Sequence, residues 1–358
     1  MRPEGFEIGS KRVGFDEPVY FIADIAANHD GDLSRAKDLI FAAAQAGADA
    51  AKFQHFQAET IVSQKGFDDL GSKTISHQSS WEKSVSQVYR EASVKLEWSA
   101  ALRETCVEAG IDFFTTPYSL ELADAMDSYV PAYKIGSGDI TWIELIKHIA
   151  KKNKPYILAT GASTFDDVVR AVEAGLEINK NMCLMQCNTN YTGDIENLKY
   201  INLNVLRTYK EMFPTTLLGL SDHTPGHATV LGAIALGARM IEKHFTDDVT
   251  RVGPDHKFSM DPSSWREMVE RSRELEAALG GGVKRIEGNE IATSVVQRRS
   301  IRARSDLKAG ELLTVSSLEY LRPCPEGGLS PYEIDKVLGR KLRHDIFQGE
   351  HLTWLHLE

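Results

Sequence analysis

Five apolar runs of this chain carry, near their C-terminal ends, polar residues that a packed strand does not need. Lys52 and Gln54 stand in step within Ala50 to Phe56, and Lys134 lies in Ala132 to Gly136 with Ser137 and Asp139 just beyond. Ser221 and His223 close Leu217 to His223, Glu242 and His244 close Arg239 to Phe245, and Val19 to Ala26 supplies Asp24 with Asn28 following. A buried, unpaired charge is costly, so charges recurring at the same place on five runs point to one shared polar site. Lys52 and Lys134, with Ser137 and the Gly-Ser-Gly backbone around it, make an anion cradle, balanced by Asp24, Asp139 or Glu242 when no anion is present. His223 and His244 end consecutive runs; neighbouring strands lie about 4.8 Å apart, so both imidazoles can reach one divalent ion, and two imidazoles favour Mn²⁺ over Mg²⁺. Ser221, Asp222 and His223 are not a hydrolase triad, because adjacent strand residues face opposite ways and no G-x-S-x-G elbow occurs.

The elements that must hold these residues follow from the rest of the pattern. Eight short apolar or β-branched runs alternate with amphipathic helical stretches: Val19–Ala26, Ala50–Phe56, Asp112–Thr116, Ala132–Gly136, Tyr156–Thr160, Met182–Cys187, Leu217–His223 and Arg239–Phe245. Helices are expected at Leu33–Ala46, Asn197–Phe213, His227–Leu236 and Ser263–Leu279, among others. Eight βα units over about 260 residues are the number and size of a (β/α)8 TIM barrel, whose active groups sit at the C-terminal ends of the strands. A doubly wound open sheet is the structural alternative.

The chain has 358 residues, 42% of them hydrophobic and 26% charged, which excludes disordered, collagen-like and membrane classes. Its 41 Lys plus Arg against 51 Asp plus Glu leave a net charge of −10, so nothing draws it to nucleic acid or an anionic membrane, and an anionic ligand must be held locally. The first residues show no apolar signal region, and the longest mostly apolar stretch, Val230 to Ile241, is far shorter than a membrane span. The chain reads as cytoplasmic, with Cys106, Cys183, Cys187 and Cys324 as reduced thiols.

Three domain-level features remain. The connection from residue 57 to residue 96 is long, contains His77, Trp81 and Tyr89, and is either a lid over the barrel mouth or a tolerated surface insertion. The barrel domain ends near residue 280, and the Gly-rich residues 281–292 read as a linker. Residues 293–358 contain a repeat offset by 39 residues, "DLKAGELLT" from Asp306 and "DIFQGEHLT" from Asp345, which predicts a compact β-rich module with internal pseudo-symmetry.

The motifs "IADIAANHDGD", "KFQ", "FFTTPYS", "PAYKIGSGD", "GLSDHT", "EKHFTD" and "GPDHKFSM", in this order and followed by the C-terminal module, resemble the N-acetylneuraminate (sialic acid) synthase family over nearly the whole chain. The resemblance implies a TIM barrel joined to an antifreeze-like (SAF) domain, with condensation of phosphoenolpyruvate and an open-chain N-acetylated hexosamine. The products would be a nine-carbon 2-keto sugar acid and phosphate. N-acetylmannosamine is the default acceptor; relatives making legionaminic or pseudaminic acid take 2,4-diacetamido sugars. The resemblance assigns a divalent metal, Mn²⁺ with Mg²⁺ or Co²⁺ as alternatives, to His223 and His244. It assigns phosphoenolpyruvate to Lys52, Thr116, Lys134 and Ser137, and sugar to Gln54, Tyr191 and Asp255, with Glu242 supporting the site. It also implies a domain-swapped homodimer in which Arg322 reaches the partner's sugar.

Some positions depart from the family pattern. Asp24 and Asp139, the candidate proton-transfer pair, stand where the family carries Glu. Ala159 replaces a phosphate-contacting Ser, leaving Thr160 and Ser163 as nearby donors, and Thr189 replaces an Asn.

Overall fold

The structure, a computed structural model, describes residues 3–70, 78, 81 and 83–358; His77 lies outside them. Contacts divide the chain into two units, residues 1–280 and 281–358.

The first unit opens with a hairpin, β1 (Phe6–Ile8) and β2 (Lys11–Val13), which the strand pattern did not announce. Eight parallel strands follow: β3 (Tyr20–Asp24), β4 (Ala50–His55), β5 (Asp112–Pro117), β6 (Tyr133–Ile135), β7 (Tyr156–Ala159), β8 (Met182–Cys187), β9 (Leu217–Asp222) and β10 (Ala238–His244). They pair in chain order and β10 returns to β3, closing a barrel; the open-sheet alternative is thereby excluded.

Alternation along the strands sorts the side chains. Outward residues such as Phe21, Phe53, Leu158, Leu184 and Ile241 pack under the helices in the main core. The helix Leu33–Gln45 buries Ala36, Leu39, Ile40 and Ala43, one face of a 3.6-residue period, and starts at the Asp32 cap. Inward residues form a second, apolar cluster that includes Tyr20, Ile22, Phe114, Ile157, Met185 and Met240, closed below by Phe6, Ile8 and Val13 of the hairpin. The hairpin is therefore the floor plug of the barrel. Above that floor the inward positions turn polar, which places the charged residues at the mouth.

One expected helix divides. Asn197–Phe213 is a 3₁₀ segment, Ile195–Tyr200, followed by a helix over Val205–Met212. Asn202 between them adopts a left-handed φ of 48°, which a continuous helix cannot accommodate.

The second unit contains β11 (Ser300–Ala303) and β12 (Leu318–Leu321), an antiparallel pair over its own small core of Ile301, Leu313, Leu342 and Leu352. The sequence repeat folds as reciprocal turns: Asp306 Oδ1 accepts from Gln348 N at 2.9 Å, and Asp345 Oδ1 accepts from Ala309 N at 2.9 Å. Gly310 and Gly349 occupy matching left-handed positions, φ 82° and 79°.

Candidate active site

Register builds the centre of the site. His244 pairs with Asp24 across β10 and β3, and Asp24 with Lys52 across β3 and β4, so three inward side chains lie abreast at the mouth. Lys52 Nζ donates to Asp24 Oδ2 at 2.6 Å, Gln54 Nε2 donates to the same oxygen at 3.3 Å, and His244 Nε2 stands 3.4 Å from it. Lys52 also reaches Thr116 Oγ1 at 3.4 Å. Across the barrel Lys134 Nζ donates to Glu242 Oε1 at 2.6 Å, Ser221 Oγ donates to it at 3.1 Å, and Lys52 lies 3.9 Å from Oε2.

Both lysines are 2% exposed. Burial alone would depress the Lys52 ammonium, but Asp24 and Glu242 outweigh it and raise its pKa. Burial likewise opposes the Glu242 carboxylate, yet Lys134 and Lys52 hold its pKa below the ordinary range. Lys52 and Glu242 therefore stay charged in a nearly dry layer, and an incoming anion exchanges one partner of each pair for itself.

The two imidazoles sit beside this layer. Their ring centroids are 5.3 Å apart, and both lie against Phe258, at 5.8 Å for His223 and 4.8 Å for His244. Tyr191 closes over His223 at 4.6 Å. Burial pushes the His244 imidazole down to about 3, so it is a neutral ring, and its Nδ1 is buried without a hydrogen-bond partner. Two adjacent imidazoles, one with an orphaned nitrogen, fit two ligands of a divalent ion. Among the described residues no group of three His, Cys, Asp or Glu side chains gathers for a metal.

Asp139 follows β6 on a short 3₁₀ turn, Ser137–Asp139. Its Oδ2 is buried with no partner, and burial pushes its carboxyl up to about 6. Asp255 accepts the Ala27 N–H at 3.0 Å, and burial, reinforced by Asp24, pushes it up to about 6 as well. Ser137 Oγ accepts from Gly161 N at 2.9 Å. Thr189 Oγ1 is buried and unpartnered, 1.8 Å from where a Cβ on Gly161 would stand, so only glycine fits there.

Two residues named from the sequence are engaged elsewhere. Thr160 Oγ1 donates to Met185 O at 2.9 Å and accepts from Tyr209 at 3.0 Å. Asn28 Nδ2 donates to Phe245 O at 2.9 Å and to Ser259 Oγ at 2.8 Å, while its Oδ1 is buried without a partner. Arg322 belongs to the second unit and is exposed there. Asp222, passed over as a triad member, turns outward to a buried pair with Lys243 at 2.6 Å.

The long connection contributes directly. Its Ile61, Trp81, Val88 and Tyr89 line an inner chamber of about 160 Å³ shared with Gln54, His244 and Asp255. Beyond it a vestibule of about 1320 Å³ opens between Trp81, Lys83, Tyr191, Arg251 and Lys257. This segment is a wall of the site, not a remote insertion. Phe258 and Tyr118 were not singled out as site residues in the sequence; both lie inside quoted motifs, where aromatic residues look like core.

A closed βα barrel whose mouth holds buried lysine–carboxylate pairs beside two imidazoles has the organisation of a barrel enzyme. The chain belongs to the NeuB family, whose model matches residues 39–284, and residues 298–358 match the SAF domain. It is 33% identical to the N,N'-diacetyllegionaminic acid synthase of Legionella pneumophila, over 98% of each chain. It is 32% identical to the human N-acetylneuraminate-9-phosphate synthase, over 92% of this chain and 90% of that one. Among solved structures, the sialic acid synthetase of Leptospira borgpetersenii in complex with citrate superposes with a TM-score of 0.70 at 27% identity, covering 81% of this chain and 95% of that one.

Proposed function

We propose that this protein condenses phosphoenolpyruvate with an open-chain N-acetylated hexosamine, by default N-acetylmannosamine, forming a nine-carbon 2-keto sugar acid and phosphate. The observation that carries this reading is the pair of buried ion pairs, Lys52–Asp24 and Lys134–Glu242, at 2.6 Å each on facing sides of one mouth. Two fixed cations suit a small substrate bearing both a carboxylate and a phosphate. Thr116 and Ser137 adjoin them as neutral donors.

His223 and His244 would hold a divalent cation, Mn²⁺ by ligand type, which supplies Lewis-acid polarisation of the acceptor's aldehyde. The enol C3 of phosphoenolpyruvate forms a carbon–carbon bond to that aldehyde carbon as the aldehyde π bond opens and its oxygen takes a proton to become a hydroxyl, leaving an electron-poor C2. Water adds to C2, and a carboxylate must take its proton. Asp139 suits that task, since its free Oδ2 and its pKa of about 6 leave it ready to accept a proton near neutrality. Asp24, bound to Lys52 and close to His244, holds those two in place. The C2 hydroxyl then loses its proton and becomes the keto carbonyl as the C–O bond to phosphate breaks, and Lys52 and Lys134 balance the charge of the departing phosphate. Gln54, Tyr191 and Asp255 adjoin the chamber and suit the sugar's hydroxyl and acylamino groups.

A second reading takes a 2,4-diacetamido hexose, giving legionaminic or pseudaminic acid. It is favoured by the apolar chamber wall of Ile61, Trp81 and Val88, which suits an additional acyl methyl. A domain-swapped homodimer, with Arg322 reaching the partner's sugar, completes the proposal; sedimentation of the intact chain and of Arg322→Ala, with acceptor KM for both, tests it. Phosphate release with each acceptor distinguishes the two substrate readings.

A further inference from the structure

Tyr118 follows β5 and lines the inner chamber. Its ring meets Phe56 edge to face at 5.8 Å; Phe56 lies 5.3 Å from Tyr89, and Tyr89 lies 6.4 Å from Trp81. An aromatic series thus runs from the barrel rim into the long connection and fixes the ring. The hydroxyl lies against Gly136, where a Cβ would stand 3.3 Å from the oxygen. Gly136 leads into the turn that carries Ser137 and Asp139.

Four other phenols of the barrel donate to named partners. Tyr20 donates to Asp112 at 2.6 Å, Tyr133 to Ala123 O at 2.9 Å, Tyr156 to Asn179 O at 3.0 Å and Tyr209 to Thr160 at 3.0 Å. Among the described residues the Tyr118 hydroxyl makes no hydrogen bond. Tyr118 is half-buried and lines the chamber, so its hydroxyl is open to a polar group of a ligand lodged there. Burial raises its pKa, so the group is a neutral donor. The chamber is lined by no Lys or Arg among the described residues, while Gln54, Gln78 and Tyr89 offer neutral polar atoms.

We propose that Tyr118 is a specificity-determining residue, its hydroxyl hydrogen-bonding an uncharged polar group of the acceptor, a hydroxyl or an acylamino group, lodged in the inner chamber. This inference rests on the reading of the barrel mouth as a condensing site for phosphoenolpyruvate and an acceptor sugar.

Tyr118→Phe keeps the ring and removes one oxygen. Phosphate release is measured for the full-length parent and variant, varying acceptor at saturating phosphoenolpyruvate and then the reverse, with a melting curve for each protein. The expected result is an acceptor kcat/KM lowered by roughly 5- to 20-fold, the loss of one neutral hydrogen bond, with phosphoenolpyruvate kcat/KM and Tm unchanged. An unchanged acceptor kcat/KM, or an equal loss for both substrates, overturns the proposal. If the parent releases no phosphate, the condensing reading fails on its own. Calorimetric titration of N-acetylmannosamine and of a 2,4-diacetamido hexose then decides the Tyr118 inference: weaker binding to the variant supports it, and equal binding or none to either protein overturns it.

Discussion

Asp24 and Lys52 occupy paired positions on adjacent strands, and their side chains meet at 2.6 Å with both nearly excluded from solvent. The pair holds the site together more than it stabilises the fold, because desolvation consumes much of its Coulomb energy. Breaking it from one side is a different matter. Lys52→Met leaves the Asp24 carboxylate buried with the Ala26 N–H, Gln54 and His244 but no fixed cation beside it, and is expected to destabilise the protein by about 3–5 kcal/mol. Adding Asp24→Asn should restore most of that loss in thermal denaturation while phosphoenolpyruvate binding stays absent. A double variant no more stable than Lys52→Met would contradict the pairing.

Asp139 gives a pH dependence with a defined sign. Its folded carboxyl titrates near 6 because burial disfavours the charge, so as a base it is active when ionised, and kcat/KM should rise with pH through about 6. Asp139→Asn should remove that limb and lower kcat/KM by about 10²- to 10⁴-fold. Stability runs the other way. A raised carboxyl pKa favours the folded state as pH falls from above 6 towards the ordinary 3.8, and ionisation above 6 destabilises it. Asp139→Asn should therefore stabilise the fold at about pH 8, by up to roughly 2 kcal/mol and with a raised Tm, and leave both unchanged near pH 4. A pH limb that survives in the variant would assign the titration to Asp255, which burial also places near 6.

Gly161 is a test of packing at the anion cradle. A methyl group there would meet Thr189 Oγ1 at 1.8 Å, Ser137 Oγ at 2.9 Å and Cys187 Sγ at 3.1 Å. Gly161→Ala should cost about 1–3 kcal/mol in stability. It should also raise KM for phosphoenolpyruvate by at least about tenfold with little change in acceptor KM. Equal effects on both substrates would place Ser137 and Thr189 outside the phosphoenolpyruvate contact.

How much of this was legible beforehand depends on the kind of signal. The eight strands were readable because inward and outward positions alternate, and the charged ones, Lys52, Lys134, Glu242 and His244, recur at the same height. What was hidden falls into two physical classes. The β1–β2 hairpin is only three residues per strand, too short for a period of two to register, yet Ile8 and Val13 seal the barrel floor. Thr160 and Asn28 carry the polar groups a site needs, but their partners, Tyr209 and Ser259, are distant in sequence, and only the folded chain shows the Thr160 hydroxyl and the Asn28 Nδ2 already engaged. Tyr118 was missed for the opposite reason: an aromatic residue beside a strand reads as core, and its unpartnered hydroxyl has no sequence signature.

The central claim is that this mouth joins phosphoenolpyruvate to an amino sugar. Its most direct test is phosphate release from phosphoenolpyruvate by metal-stripped protein, with and without Mn²⁺, comparing N-acetylmannosamine with a 2,4-diacetamido hexose and using His223→Ala as the control. The account predicts release only when phosphoenolpyruvate, one of these sugars and Mn²⁺ are all present, with none from His223→Ala. No release with either sugar under Mn²⁺, Mg²⁺ or Co²⁺, from protein whose melting curve shows it folded, would contradict it.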